Sequence, residues 1–214
     1  MNLAILRCRA QYGTEAPPAT IEVFLSGGLP AFTIVGMPET AVRESKDRVR
    51  GALLSSGFEF PQQRITVSLG PAEMRKTGGR YDLAIALGIL AARKQFPVTA
   101  LRGVECYGEL ALSGELRSVA GLLPSVIKAH EAGHQVIVPR ENAPEAALAG
   151  ATVIGAATLV EVTAHLAGRD PLPLEHAAHL PETTRARVDL ADVKGQQFAK
   201  RALEIAAAGN HNLL

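Results

Sequence analysis

The apolar and polar positions of this chain change period from stretch to stretch, and each change marks an element. Leu3 to Cys8, Thr20 to Leu25 and Ala31 to Val35 are short apolar, β-branched runs set between turn residues such as Gly27-Gly28-Leu29-Pro30. Runs bounded in this way predict strands, because branched side chains suit a pleated surface and Gly and Pro suit its turns. From Glu39 to Ser56 the spacing becomes helical. Val42, Val49, Ala52 and Leu53 share one face, with Ser45 among them, while Arg43, Lys46, Asp47 and Arg50 lie opposite at i, i+3, i+4, i+7. Gly57 supplies a stop.

Arg64 to Leu69 alternates as a half-buried strand, and a loop from Gly70 to Arg80 leads into an apolar helix from Tyr81 to Lys94. Val104 to Arg117 reads as strand, bend and strand. A helix from Leu122 to Ala132 stops at Gly133 and is followed by a buried strand, Gln135 to Val138. A short helix near Pro144 to Leu148, a strand at Thr152 to Ile154 and a helix from Leu159 to Ala167 complete the pattern. Such alternation without repeats predicts an α/β fold with a mixed sheet. From Gly168 onward Pro-containing text, such as Asp170-Pro-Leu-Pro-Leu, reads as a linker. The expected division is a domain over 1–169, a linker over 170–188 and a final segment over 189–214.

Composition changes this picture in a few places. With 47% apolar residues but only 4% aromatic and no Trp, the core must be built from Ala, Leu, Val and Ile. A net charge of +1 gives no bulk attraction for polyanions, so any such site must be a local patch. The two cysteines, Cys8 and Cys106, form no disulfide framework, are expected to be buried, and fit a reducing cytoplasm. The N-terminus lacks a basic stretch followed by a long apolar run, so no signal peptide is expected. The longest apolar run, Leu83 to Ala92, falls short of the roughly 18 residues that a membrane span needs. A soluble, cytoplasmic chain without a membrane partner is the expectation.

The last stretch, Asp189 to Leu214, resembles the opening segment of an AAA+ ATPase module. The resemblance places Asp192-Val193-Lys194-Gly195-Gln196 in a turn against the adenine, Gln197 to Ala208 in a helix, and Asn212-Leu213-Leu214 at the start of a strand. A phosphate-binding G-x-x-x-x-G-K-[ST] loop is expected after that strand, beyond these residues. Asp192, Val193 and Gly195 are thus implied to form the adenine side of an incomplete ATP site. No cofactor is expected to be held by this chain alone; ATP and Mg are expected for a longer protein of which it is the leading part.

Further stretches resemble the magnesium-chelatase-like ATPases of the ComM/YifB type. They include Gly36-Met-Pro-Glu-Thr-Ala-Val-Arg-Glu-Ser-Lys-Asp-Arg-Val-Arg50, Phe58-Glu-Phe-Pro61 with Arg64-Ile-Thr-Val67, and Gly78-Gly-Arg-Tyr-Asp-Leu-Ala-Ile-Ala-Leu-Gly-Ile-Leu90. Gly108-Glu-Leu-Ala-Leu-Ser-Gly-Glu-Leu-Arg117 and Val138-Pro-Arg-Glu-Asn142 belong with them. The resemblance implies the fold shared by ribosomal protein S5 domain 2 and the Lon protease domain, followed by a hexamer-forming ATPase. It also implies a DNA helicase that drives branch migration during natural transformation, with single-stranded or branched DNA as partner. One departure stands out: relatives usually carry Pro-Lys-Glu-Gly-Gly where this chain has Arg75-Lys76-Thr77-Gly78-Gly79.

A Lon-like fold raises the question of peptidase chemistry, in which a Lys of lowered pKa activates a Ser nucleophile. The resemblance puts Arg80 where the Ser would stand and Leu123 where the Lys would stand. Neither residue can do that chemistry. Ser113, Ser118, Ser125 and Lys128 are nearby without dyad spacing. No catalysis by this domain itself is expected, and the fold reads as a scaffold.

Two places remain for a polyanion. Thr77-Gly78-Gly79-Arg80 before a helix reads either as a tight turn and cap or, with Arg75, Lys76 and Arg80, as a contact for a phosphate backbone. The stripe of Arg43, Lys46 and Arg50 reads either as a solvated face or as one that meets DNA or a neighbouring subunit. The six histidines form no metal site: Gly133 separates His130 from His134, while His176 and His179 fall in the linker. Two other roles stay open, a structural collar without DNA contact and a motor subunit of a chelatase-type complex.

Overall fold

In a computed structural model, which describes residues 2–177 and 189–213, the strands and helices predicted between Leu3 and Ala167, and the helix from Gln197, form within a residue or two of their expected ends, whereas the strand expected from Asn212 is not formed at residues 212–213. The first three strands are β1 (Leu3–Arg9), β2 (Pro18–Ser26) and β3 (Ala31–Val35), followed by α1 (Thr40–Ser55) and β4 (Arg64–Gly70). Next come α2 (Asp82–Ala92), β5 (Val104–Cys106), a ribbon of β6 (Glu109–Leu110) and β7 (Leu116–Arg117), and α3 (Leu123–Glu131). Then follow β8 (Gln135–Pro139), α4 (Ala143–Ala147), β9 (Val153–Ala156), α5 (Leu159–Leu166), β10 (Leu174–Glu175) and α6 (Gln197–Gly209).

One eight-stranded sheet has the order β10-β9-β8-β5-β1-β2-β4-β3. β1 with β2, β2 with β4 and β9 with β10 are antiparallel; β3 with β4, β1 with β5, β5 with β8 and β8 with β9 are parallel. This is the mixed α/β sheet expected from the alternation, and it agrees with the S5 domain 2 and Lon-like class. The two halves are covered differently. In β2 and β4, every second residue is buried, so Ile21, Val23, Ile65 and Val67 face the core while Phe24 and Glu22 meet solvent. β5 and nearly all of β8 are buried without alternation, as strands covered on both faces are.

The helices explain the buried side. α1 buries Val42, Ser45, Val49, Ala52 and Leu53, the face read from its spacing. Apart from Asp82 at its start, α2 is apolar all round, and every residue in it is buried, as a helix enclosed on all sides must be. At Gly88 it presses so close to the sheet that an added Cβ would meet Val23 and would lie 2.9 Å from Leu6 Cδ1.

The chain divides into two compact units, Met1–Ala178 and His179–Leu214. This moves the expected boundary. Leu174–Glu175, read as linker, instead pairs antiparallel with β9, and the part of the predicted linker from 178 to 188 lies outside the described residues. In the second unit Asp189 caps a short turn, its Oδ1 accepting from Ala191 N at 2.9 Å while Asp192 Oδ2 accepts from Asp189 N at 3.0 Å. Gly195 (φ 70°) and Gln196 (φ 56°) then take left-handed backbone, and α6 follows. No residue of α6 is buried, and Phe198 is 95% exposed. Among the described residues no helix is long and apolar enough to cross a membrane.

Candidate functional site

The loop after β4 is fixed beside the start of α1. Glu39 N donates to Lys76 O at 3.2 Å, and Pro38 bridges Lys76 in parallel fashion. This brings Arg75 and Arg43, far apart in sequence, to one hollow of about 500 Å³ that Met37, Pro38, Glu39 and Thr40 also line. Arg75 is exposed and reaches Glu39 only loosely, at 3.9 Å. The first turn of α1 has neither a side-chain cap bond nor an acidic residue, but Glu39 stands at the N-cap and lines the same hollow, so its carboxylate opposes part of the positive potential of the helix start and the arginines. Lys46 and Arg50 continue the stripe along the exposed face, with Arg50 lying 5.1 Å over the ring of Phe60. Arg48 turns the other way, its Nε 2.7 Å from Asp82 Oδ2.

Two residues of the expected patch do not belong to it. Lys76 is fully buried and donates its ammonium to Pro71 O; burial lowers its pKa. Arg80 is 2% exposed and points inward. Its Nη1 donates to Ser125 Oγ at 3.3 Å, and its Nη2 to Ala120 O at 3.0 Å and Gln11 Oε1 at 3.1 Å. Neither side chain can meet a phosphate from there. The start of α2 is likewise no anion cradle, because Glu109 packs its carboxylate against Gly79 and Asp82 is wholly buried beside it. A basic residue reads as surface in a sequence; its partners here come from 40 and 69 residues away, which no local pattern reports.

The same geometry bears on peptidase chemistry. The 80 and 120–125 segments do meet, yet the group between them is a guanidinium that stays protonated and cannot serve as a base. Ser125 accepts a hydrogen bond from it. Lys128, the nearest lysine on α3, pairs with Glu131 at 2.8 Å, and that bond pushes its pKa up, opposite to what activation of a serine needs.

Sequence reading missed two buried ionic clusters. Asp82 accepts from Ser45 Oγ, from Arg48 and from Leu110 N at 3.2 Å, tying α1, α2 and the β6–β7 ribbon together. Glu105, 1% exposed, accepts from Arg9 Nη2 at 3.0 Å, from Tyr107 Oη and from His134 Nδ1 at 2.8 Å. Arg7 Nη1 lies 2.8 Å from His134 Nε2. A guanidinium only donates, so Nε2 accepts in this contact, while Nδ1 faces Glu105. Cys8 and Cys106 are buried as expected, and burial pushes the Cys106 thiol up to about 12.

Asp192, Val193 and Gly195 lie in the exposed turn before α6. Among the described residues of the second unit, the side-chain hydrogen bonds at this turn are those of the Asp189–Asp192 cap.

Comparison with known proteins now gives the class. The family described as "Subunit ChlI of Mg-chelatase" matches residues 21–142, and "Magnesium chelatase, subunit ChlI" matches residues 189–214. The chain therefore belongs to the magnesium-chelatase ChlI family, in its ComM/YifB-type branch. Over its full length it is 47% identical to competence protein ComM of Haemophilus influenzae and 49% identical to the uncharacterized protein YifB of Salmonella typhimurium. An uncharacterized protein of Mycobacterium tuberculosis is 40% identical over 94% of the chain. The chain spans 43%, 42% and 40% of the length of these relatives, respectively.

Proposed function

We propose that this chain is the N-terminal domain of an ATP-driven, hexameric DNA motor of the branch-migrating kind, acting in the cytoplasm during uptake and recombination of DNA. It forms part of the ring's scaffold and touches phosphates through Arg43, Lys46, Arg50 and Arg75. The observation that carries the DNA contact is the convergence of Arg43 and Arg75 on one hollow at the uncapped start of α1. The observation that supports the motor is similarity along the whole of this chain to 43% of a competence protein, together with the family match at 189–214.

In this reading phosphate contacts position the strand and carry no sequence information. The domain does no chemistry of its own, in keeping with Arg80 standing against Ser125. ATP with Mg drives the motor. The exposed 192–195 turn fits the adenine side, where backbone groups hold a base, while no G-x-x-x-x-G-K-[ST] sequence for the phosphates occurs in these 214 residues. By itself the chain then binds ATP weakly or not at all.

A second reading, a collar without DNA contact, draws support from Glu39, Glu44 and Asp47, which interleave with the basic stripe. Fluorescence anisotropy with single-stranded, duplex and four-way-junction DNA across a salt series separates the two. The motor reading expects binding that weakens steeply with salt. It also expects the double variant Arg43→Ala/Arg75→Ala to bind less tightly and with a shallower salt slope. Absence of binding at low salt leaves the collar.

A further inference from the structure

Among the described residues, the β1-β2-β4-β3 half of the sheet leaves one face exposed, and that face is neither randomly polar nor simply apolar. Register places Leu3, Phe24, Thr66 and Thr33 in one row across β1, β2, β4 and β3, and Ile5, Glu22, Ser68 and Val35 in the next. The opposite sides of these strands are packed in the core. Phe24 stands near the middle, 47% exposed. An aromatic ring held on a rigid sheet costs little entropy to order and offers a flat face.

Cations stand at the two ends. Arg7 is paired with Thr20 and Arg64 with Ser26, so they are separated along β2 by six residues, roughly 20 Å at strand rise. Arg7 is held in place by His134. Beside Ile5 the face deepens into a hollow of about 770 Å³ lined by Leu3, Arg7, Val98, Leu101 and Arg102. Glu22 is the one acidic side chain in the two rows.

We propose that this bare face is a track for single-stranded nucleic acid, with a base stacked on Phe24, a neighbouring base in the hollow, and phosphates on Arg7, Arg64 and Arg102. The charge favours a polyanion, and the exposed ring favours one whose bases are free to stack. A duplex keeps its base faces inside its own stack and has none to offer Phe24. Glu22, which repels phosphate, suits the amino groups on base edges. This rests on the DNA reading above, and adds a second surface on the other side of the sheet from α1.

The chain contains no Trp, so a Phe24→Trp variant carries a single emitter at the proposed stacking point. Titration with a 20-nucleotide single strand is expected to quench its emission, while duplex of equal length leaves it unchanged. Phe24→Ala is expected to weaken single-strand binding about tenfold, the scale of one base–aromatic stack, with Phe24→Tyr close to wild type. Since Phe24 is exposed, these changes leave the core intact. If the strand binds, is lost in Arg43→Ala/Arg75→Ala, and leaves both the emission and the Phe24→Ala affinity unmoved, the track is refuted and the DNA reading stands. If wild type binds no DNA, both fall. Emission that shifts with protein concentration alone assigns the face to a second copy of this chain and refutes the track.

Discussion

Arg80 and Ser125, 45 residues apart in the chain, meet at 3.3 Å in the interior, and the direction of their bond is fixed because a guanidinium only donates. The same side chain satisfies the carbonyls of Ala120 and Gly121. Arg80→Met leaves these acceptors and Gln11 without a donor, and is expected to lower stability by about 2–4 kcal/mol. Arg80→Lys recovers only part, lacking the planar fork. Urea unfolding measures both, and a wild-type midpoint for Arg80→Met would contradict this role.

Lys76 makes the opposite case. Its ammonium has a carbonyl partner but no carboxylate within reach among the described residues, and burial lowers its pKa. The folded state therefore disfavours the proton, and the stability tied to this group rises as pH climbs toward the usual 10.5. At neutral pH Lys76→Met is expected to be as stable as wild type or more so. DNA affinity is expected to stay the same, because the charge is inside. A loss of affinity would return Lys76 to the surface patch.

Gly88 tests the packing of α2 on the sheet. Alanine is the better helix former by about 1 kcal/mol, yet its methyl would collide with Val23 and Leu6. Overpacking of this kind costs about 1–3 kcal/mol, so Gly88→Ala is expected to be destabilising on balance. A thermal midpoint above wild type would mean that the helix shifts freely.

His165 accepts a hydrogen bond at Nδ1 from Leu172 N at 2.9 Å, holding the return from α5 toward β10. Burial lowers its pKa below 6.5. The unfolded chain then takes up this proton first as pH falls, so the stability from His165 is present above about 6.5 and is lost as pH drops through the folded value. Wild type is expected to lose stability relative to His165→Gln between neutral and mildly acidic pH. Parallel pH profiles of the two would exclude the effect.

The sequence was most readable where a single element decides its own burial. The buried side of α1 was visible because Val42, Val49, Ala52 and Leu53 repeat at helical spacing. β10 was not, since two residues just after Pro171 and Pro173 carry no period, and only pairing to Ile154 and Val153 makes them a strand. Arg9, Arg80, Asp82 and Glu105 were hidden for another reason. Charged residues read as surface until distant partners are known, and the partner of Arg9 lies 96 residues away. For the candidate site, the stripe on α1 was legible, whereas its junction with Arg75 depended on how the loop after β4 folds back.

The unequal cover of the sheet also sets how freely each half can change. In β2 and β4 alternate positions meet solvent or its margin, so substitutions there have room at every second residue, and only a demand from a ligand would remove it. In β5 and β8 scarcely any position is free. A saturation library of this chain would therefore show a beat of two in one half of the sheet and an unbroken block in the other. Any interruption of that beat at Phe24 would be the mark of a task beyond folding.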